Sequence, residues 1–160
     1  MFNPRDTDLI HAINGNCQKF FIPSTKGGER EMASVLFNEG ADQLQEDEDH
    51  GGVREPVKVK FLRVTGSSSP REVLEILSRE RGVSPEFFFL SKDQVVLFLV
   101  THPFLFQERM SPRIYFLVSP PKKILECNIN TLVIPAYTQA NITEVDDSSI
   151  KFGALVIPVV

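Results

Sequence analysis

Pro56-Val-Lys-Val-Lys-Phe-Leu-Arg-Val64, then Thr65-Gly-Ser-Ser-Ser69, then Pro70-Arg-Glu-Val-Leu-Glu-Ile-Leu-Ser-Arg-Glu-Arg81 is the stretch whose reading decides the fold. In its first part Val57, Val59 and Phe61 face one way and Lys58 and Lys60 the other, the two-residue period of a strand. The alternation slips at Leu62, which predicts a bulge or burial on both faces. Thr65 to Ser69 breaks the strand, and Ser69 reads as an N-cap with Pro70 at the first helical position and Glu72 completing a capping box. Val73, Leu74, Ile76 and Leu77 recur at helical spacing and predict a buried stripe, with Glu75 and Arg79 on the wet side. Gly82 stops the helix.

Downstream, Phe87-Phe-Phe-Leu90 and Gln94-Val-Val-Leu-Phe-Leu-Val100 are apolar without alternation. They read as strands covered on both faces, with Ser91-Lys92-Asp93 as the turn between them. Pro112-Arg-Ile-Tyr-Phe-Leu-Val118 reads the same way, and Phe116-Leu-Val-Ser119 nearly copies Phe98-Leu-Val-Thr101. Further strands are expected over Ile124 to Ile129, Thr131 to Ile134, Ala140 to Val145 and Ile150 to Val159. Pro135 and Pro158 each follow Leu-Val-Ile and mark where a ladder stops or runs along an edge.

Upstream, Asp8 to Ile13 and Gln18 to Ile22 flank Asn14-Gly15, a turn pair, and suggest a hairpin. Glu29 to Phe37 is either a short helix or a helical turn running into a strand, and its acidic start favours helix. Gly40 to Glu55 concentrates Asp42, Glu46, Asp47, Glu48 and Asp49 with few apolar residues, so a flexible acidic loop is expected at about 40–55. These elements predict an α+β fold: a mainly antiparallel β-sheet, sandwich or barrel-like, with one or two packed helices. Residues 1–160 read as one globular domain, and the apolar finish at Val160 suggests the N-terminal part of a longer protein.

Composition narrows the function classes. The chain has 160 residues, a net charge of −4, 13 Phe and no Trp. Such a charge argues against a broadly basic, nucleic-acid-coating surface. Two cysteines, Cys17 and Cys127, show no paired spacing, so a reducing cytoplasmic or nuclear setting is expected. The polar start lacks the apolar stretch of a signal peptide, and no run of about 20 apolar residues offers a membrane span.

Candidate chemistry is sparse. Strand, Gly66-Ser-Ser-Ser69 and helix start resemble the way anion sites are built, with Lys58, Lys60, Arg63 and Arg71 adding charge to Ser67, Ser68 and Ser69. Neither nucleotide-binding glycine fingerprint is present, and a turn with an N-cap explains the same residues. Catalysis would draw on Cys127 or His102, which nothing in the sequence brings together; His11 lies in the short apolar patch Asp8 to Ile13 and His50 in the acidic loop. No metal-ligand spacing occurs, and no cofactor or metal is expected. Ser69, Ser84, Ser111 and Ser119 each precede proline, a pattern shared by turns and by proline-directed kinase sites. The apolar segment containing Ile150, Phe152, Leu155, Ile157 and Val159 offers an interface for a second copy or another protein. The leading expectation is therefore a non-enzymatic protein-interaction or self-association domain. The alternative is an anion- or nucleic-acid-binding module.

Overall fold

The computed structural model describes residues 19–45, 53–65, 69–102, 113–119, 122–130, 139–146 and 152–159. Seven strands form one open sheet: β1 (Lys19–Ile22), β2 (Phe37–Glu39), β3 (Val57–Thr65), β4 (Arg113–Val118), β5 (Lys123–Asn130), β6 (Gln139–Val145) and β7 (Phe152–Pro158). Their spatial order is β1-β3-β7-β4-β5-β6-β2. Pairing is antiparallel except between β7 and β4 and between β6 and β2. The class is α+β, as expected, but the sheet does not close into a barrel, and every named strand belongs to it.

Strict alternation sends side chains from each strand to opposite faces. In β4, Ile114, Phe116 and Val118 enter one core, whereas Tyr115 and Leu117 enter the other. In β7, Val156 faces the first and Leu155 and Ile157 the second. The slip at Leu62 is burial on both faces: β3 pairs with β7 in continuous register from Val59 to Thr65, with Phe61 and Leu62 in different cores.

Helices cover both faces. The 3₁₀ turn Glu29–Met32 continues into α1 (Ala33–Leu36), which runs straight into β2; the helical turn leading to a strand is the form Glu29 to Phe37 takes. A short α2 (Asp42–Gln45) follows and buries Leu44, so the acidic segment expected to be a loop is folded at its start. Glu46 to Asp49 lie outside the described residues. The next helix, α3 (Pro70–Arg81), follows the sequence closely. Ser69 accepts from the Glu72 N–H at 3.2 Å, and Gly82 closes the helix at φ 67°. Val73, Leu74, Ile76 and Leu77 are all buried.

The correction concerns Phe87 to Val100. Instead of two strands, the chain forms a 3₁₀ turn, Pro85–Phe88, and then α4 (Lys92–Thr101). Only Leu90 has strand character. Its N–H donates to the Leu117 carbonyl at 2.8 Å and its carbonyl accepts from the Ser119 N–H at 3.0 Å. At Leu90 the backbone extends the sheet beside β4, with α3 before it on one face and α4 after it on the other. Ser91 is not a turn residue but the N-cap of α4, in a full capping box with Gln94. A helix apolar on all sides gives no amphipathic period, because it is buried all round.

The buried start of α4 needs polar partners, since unsatisfied backbone N–H groups there are costly. Asp93, fully buried, accepts from the Arg30 backbone N–H at 2.8 Å and from its guanidinium at 3.4 Å. Along α4, Phe98 packs edge-on against Phe20, Phe61 and Phe116 from three different strands.

Two substitutions test this packing by urea denaturation. Asp93→Ala removes the buried acceptor of the Arg30 backbone N–H and is expected to cost about 1–3 kcal/mol. Gly40 has φ +87°, and a Cβ there would stand 1.7 Å from the Ile142 carbonyl oxygen. Gly40→Ala is therefore expected to cost more than about 1 kcal/mol, whereas Gly28→Ala, with open space around it, serves as the tolerant control.

Candidate functional site

The expected interface strand lies at the middle of the sheet. β7 is paired on one side with β3 and on the other with β4, so its backbone groups are engaged by neighbours. Leu155 and Ile157 are buried beneath α3, and Val159 is half-buried with its N–H donating to the Lys58 carbonyl. The Phe152 side chain and Ile150 lie outside the described residues. The reason is local: a strand apolar on both faces is what a sheet covered on both sides requires at its centre.

The sheet ends instead at β1 and β2, which are four and three residues long. Phe21 on β1 is 50 % exposed. The His102 ring Nε2 lies 2.9 Å from the Phe21 carbonyl oxygen. A carbonyl only accepts, so Nε2 carries the hydrogen. Short ends with one carbonyl engaged by a side chain are poor templates for pairing with another sheet.

Of the expected anion-site residues, the described ones are differently engaged. The Ser69 hydroxyl is engaged in capping α3, and Lys60 is only 8 % exposed. Lys58 and Arg71 are exposed, but Arg71 lines a groove whose walls include neither lysine of β3. Ser67, Ser68 and the Arg63 side chain lie outside the described residues, as does the acidic 46–49 segment. Cys127 is fully buried between β4 and β6, where burial pushes its thiol up to about 12. A neutral buried thiol is a poor nucleophile. Among the described residues no cluster of three or more His, Cys, Asp or Glu can hold a metal, and no helix is long and apolar enough to cross a membrane.

What the fold does build is a groove of about 460 Å³ between α3, the Pro85–Phe88 turn and the strand ends of β4, β5 and β6. Its floor is apolar: Leu74, Phe89, Leu117, Ile124 and Val145. Its rim is charged. Arg71 and Glu75, four apart on α3, present to one side, and Glu144 and Asp146 at the end of β6 to the other.

The rim's cations are differently engaged. Lys122 Nζ donates to Glu86 Oε1 at 2.7 Å and stands 5.6 Å from the centre of the Phe89 ring. Lys123 Nζ donates to the Gln43 carbonyl and side-chain oxygens, both at 3.0 Å. Gln43 is neutral, so Lys123 keeps its charge: the lining sets Arg71, Lys122 and Lys123 against Glu75, Glu144 and Asp146, and Glu86, paired with Lys122, adds one further carboxylate. The groove is apolar below and carries charges of both signs at its mouth, with Glu144 and Asp146 grouped at the end of β6.

No local pattern in the sequence marks Lys122, Glu144 or Asp146 as members of one site. The groove joins residues 71–75, 85–89, 117–124 and 144–146, which no local spacing connects. No protein-family model matches the chain, and no curated protein and no solved structure is found similar to it.

The Lys122 ammonium and then the Ser84 hydroxyl beside Glu86 hold its carboxyl down to about 2. A depressed folded-state value means the contact favours the native rim above the ordinary carboxylate range and is lost as pH falls through about 2. An NMR titration of the Glu86 side-chain carboxyl is expected to show this low midpoint. Lys122→Ala should return it toward the ordinary value, and about 1 M salt should do so in part because the pair is exposed.

Proposed function

We propose that this chain is a non-enzymatic protein-interaction domain that docks a short segment of a partner in the groove between α3 and the ends of β4 to β6. The observation that carries the reading is the pairing of an apolar floor with a charged mouth in which Glu144 and Asp146 stand together at the end of β6. Leu74, Phe89, Leu117, Ile124 and Val145 suit one or two large apolar side chains, because removing apolar surface from water drives association. Glu75, Glu144 and Asp146 suit Lys or Arg residues flanking that anchor, since complementary charge sets register and raises the association rate. The chain's overall charge of −4 steers in the same direction.

The partner is thus a basic segment with an apolar centre. Self-association through sheet edges draws less support, because β7 is interior and the two sheet ends are short.

Fluorescence anisotropy with a labelled hexapeptide carrying Leu-Phe between arginines tests the proposal. Binding is expected, with the glutamate-for-arginine version bound at least about tenfold more weakly, a difference of about 1.4 kcal/mol. Glu144→Lys together with Asp146→Lys should reverse that preference. Equal affinity for the two peptides, or no change on reversing the rim, would overturn the reading.

A further inference from the structure

Ser84 stands at the rim of this groove, followed by Pro85, which forms part of its wall. Three of the four Ser-Pro pairs have both residues or the serine within the described structure, and they differ in accessibility. Ser69 is half-buried and its hydroxyl caps α3. Ser119 is half-buried and its N–H extends the sheet to Leu90. Ser84, Pro85, Glu86 and Phe87 are exposed as a continuous run, and Ser84 is extended at φ −67°, ψ 147°. A kinase must take in residues on both sides of the acceptor: beyond Ser84 the run to Phe87 is open, and before it Gly82 is exposed while Val83 is half-buried with its carbonyl taken by the Ser78 hydroxyl. Ser111 lies outside the described residues.

We infer that Ser84 is a phosphoacceptor for proline-directed protein kinases and that its phosphate draws Lys122 away from Glu86. In the transfer, the γ-phosphoryl group of a nucleoside triphosphate moves to Ser84 Oγ. The bond to the departing nucleoside diphosphate breaks as the new P–Oγ bond forms, and the hydroxyl proton passes to the kinase's base.

The consequence follows from the contacts already present. The Ser84 hydroxyl donates to Glu86 Oε2, while Lys122 donates to Glu86 Oε1. Phosphorylation removes that donor hydrogen and places a charge of about −1.5 to −2, with three acceptor oxygens, beside the same carboxylate. Glu86 is repelled, and the three N–H bonds of Lys122 find stronger acceptors on the phosphate. The rim gains negative charge where it had a matched pair. The effect on partner binding, unlike the modification itself, rests on the docking role proposed for the groove.

The test treats the intact chain with ATP and purified proline-directed kinases of the cyclin-dependent and mitogen-activated types, followed by mass-spectrometric mapping. Phosphate is expected on Ser84 and lost in Ser84→Ala, a variant expected to keep the wild-type urea midpoint. In the phosphorylated chain the Lys122 side-chain NMR signals should shift, and the arginine-flanked peptide should bind about threefold to tenfold more tightly at low salt. Absence of phosphate on Ser84 while a Ser-Pro control peptide is consumed would overturn the site. Phosphate on Ser84 with Lys122 signals unmoved would overturn the switch. A Lys122 shift with unchanged peptide affinity would uphold both, and would count against the docking role of the groove.

Discussion

The structure depends on burying α4, a helix whose middle is apolar on every side. Phe98 is its anchor. Its ring meets Phe20 on β1, Phe61 on β3 and Phe116 on β4, with centroids 6.3, 6.1 and 5.9 Å away. Edge-on aromatic pairs add about 0.5–1.5 kcal/mol each beyond the area they bury, so one residue holds strands from the end and the middle of the sheet in a common arrangement. That burial has a condition. The first turn of α4 goes in with it, carrying Ser91, Lys92, Asp93 and Gln94 into an environment where each is at most 8 % exposed. The capping box meets the condition for Ser91 and Gln94 and the Arg30–Asp93 contact for Asp93, and the latter fixes the Glu29–Met32 turn against the helix.

The same constraint explains which parts of the fold were legible in the sequence. The helix over Pro70–Arg81 was, because its cap, stripe and stop are local and half its surface meets water. Strands β3 to β7 were, because each carries alternation or a β-rich apolar run bounded by turn residues. The helix over Lys92–Thr101 was not, because full burial erases the period that distinguishes helix from strand. Phe98-Leu-Val-Thr101 is helical and Phe116-Leu-Val-Ser119 is extended, so the shared tripeptide decides nothing. The deciding signal was upstream: Ser91-Lys-Asp-Gln94 has the spacing of a capping box, and the N-cap half of the same device placed Ser69 at the start of α3. Short apolar runs after such a signature are better read as buried helix.

The site was less legible than the fold, for a geometric reason. Glu86 and Lys122 are 36 residues apart in sequence, and Glu144 lies farther along still. They meet because the Pro85–Phe88 turn precedes the point where the chain passes the end of β4 at Leu90. The groove therefore follows from the route by which α3 and α4 reach opposite faces of the sheet. The residues that looked most like an interface, Leu155 and Ile157, form the floor of the core beneath α3. An apolar strand at the centre of a sheet and an apolar strand at a contact surface have the same composition, and only topology separates them.

The central claim is that the groove between α3 and the ends of β4 to β6 is where this chain meets another protein segment. Amide hydrogen exchange, followed by mass spectrometry with and without the arginine-flanked peptide, tests it most directly. Added protection is predicted in the segments holding Arg71 to Glu75, Pro85 to Phe89 and Glu144 to Asp146, with β1 unchanged. Protection centred on Lys19 to Ile22, or spread evenly over the sheet, would contradict it.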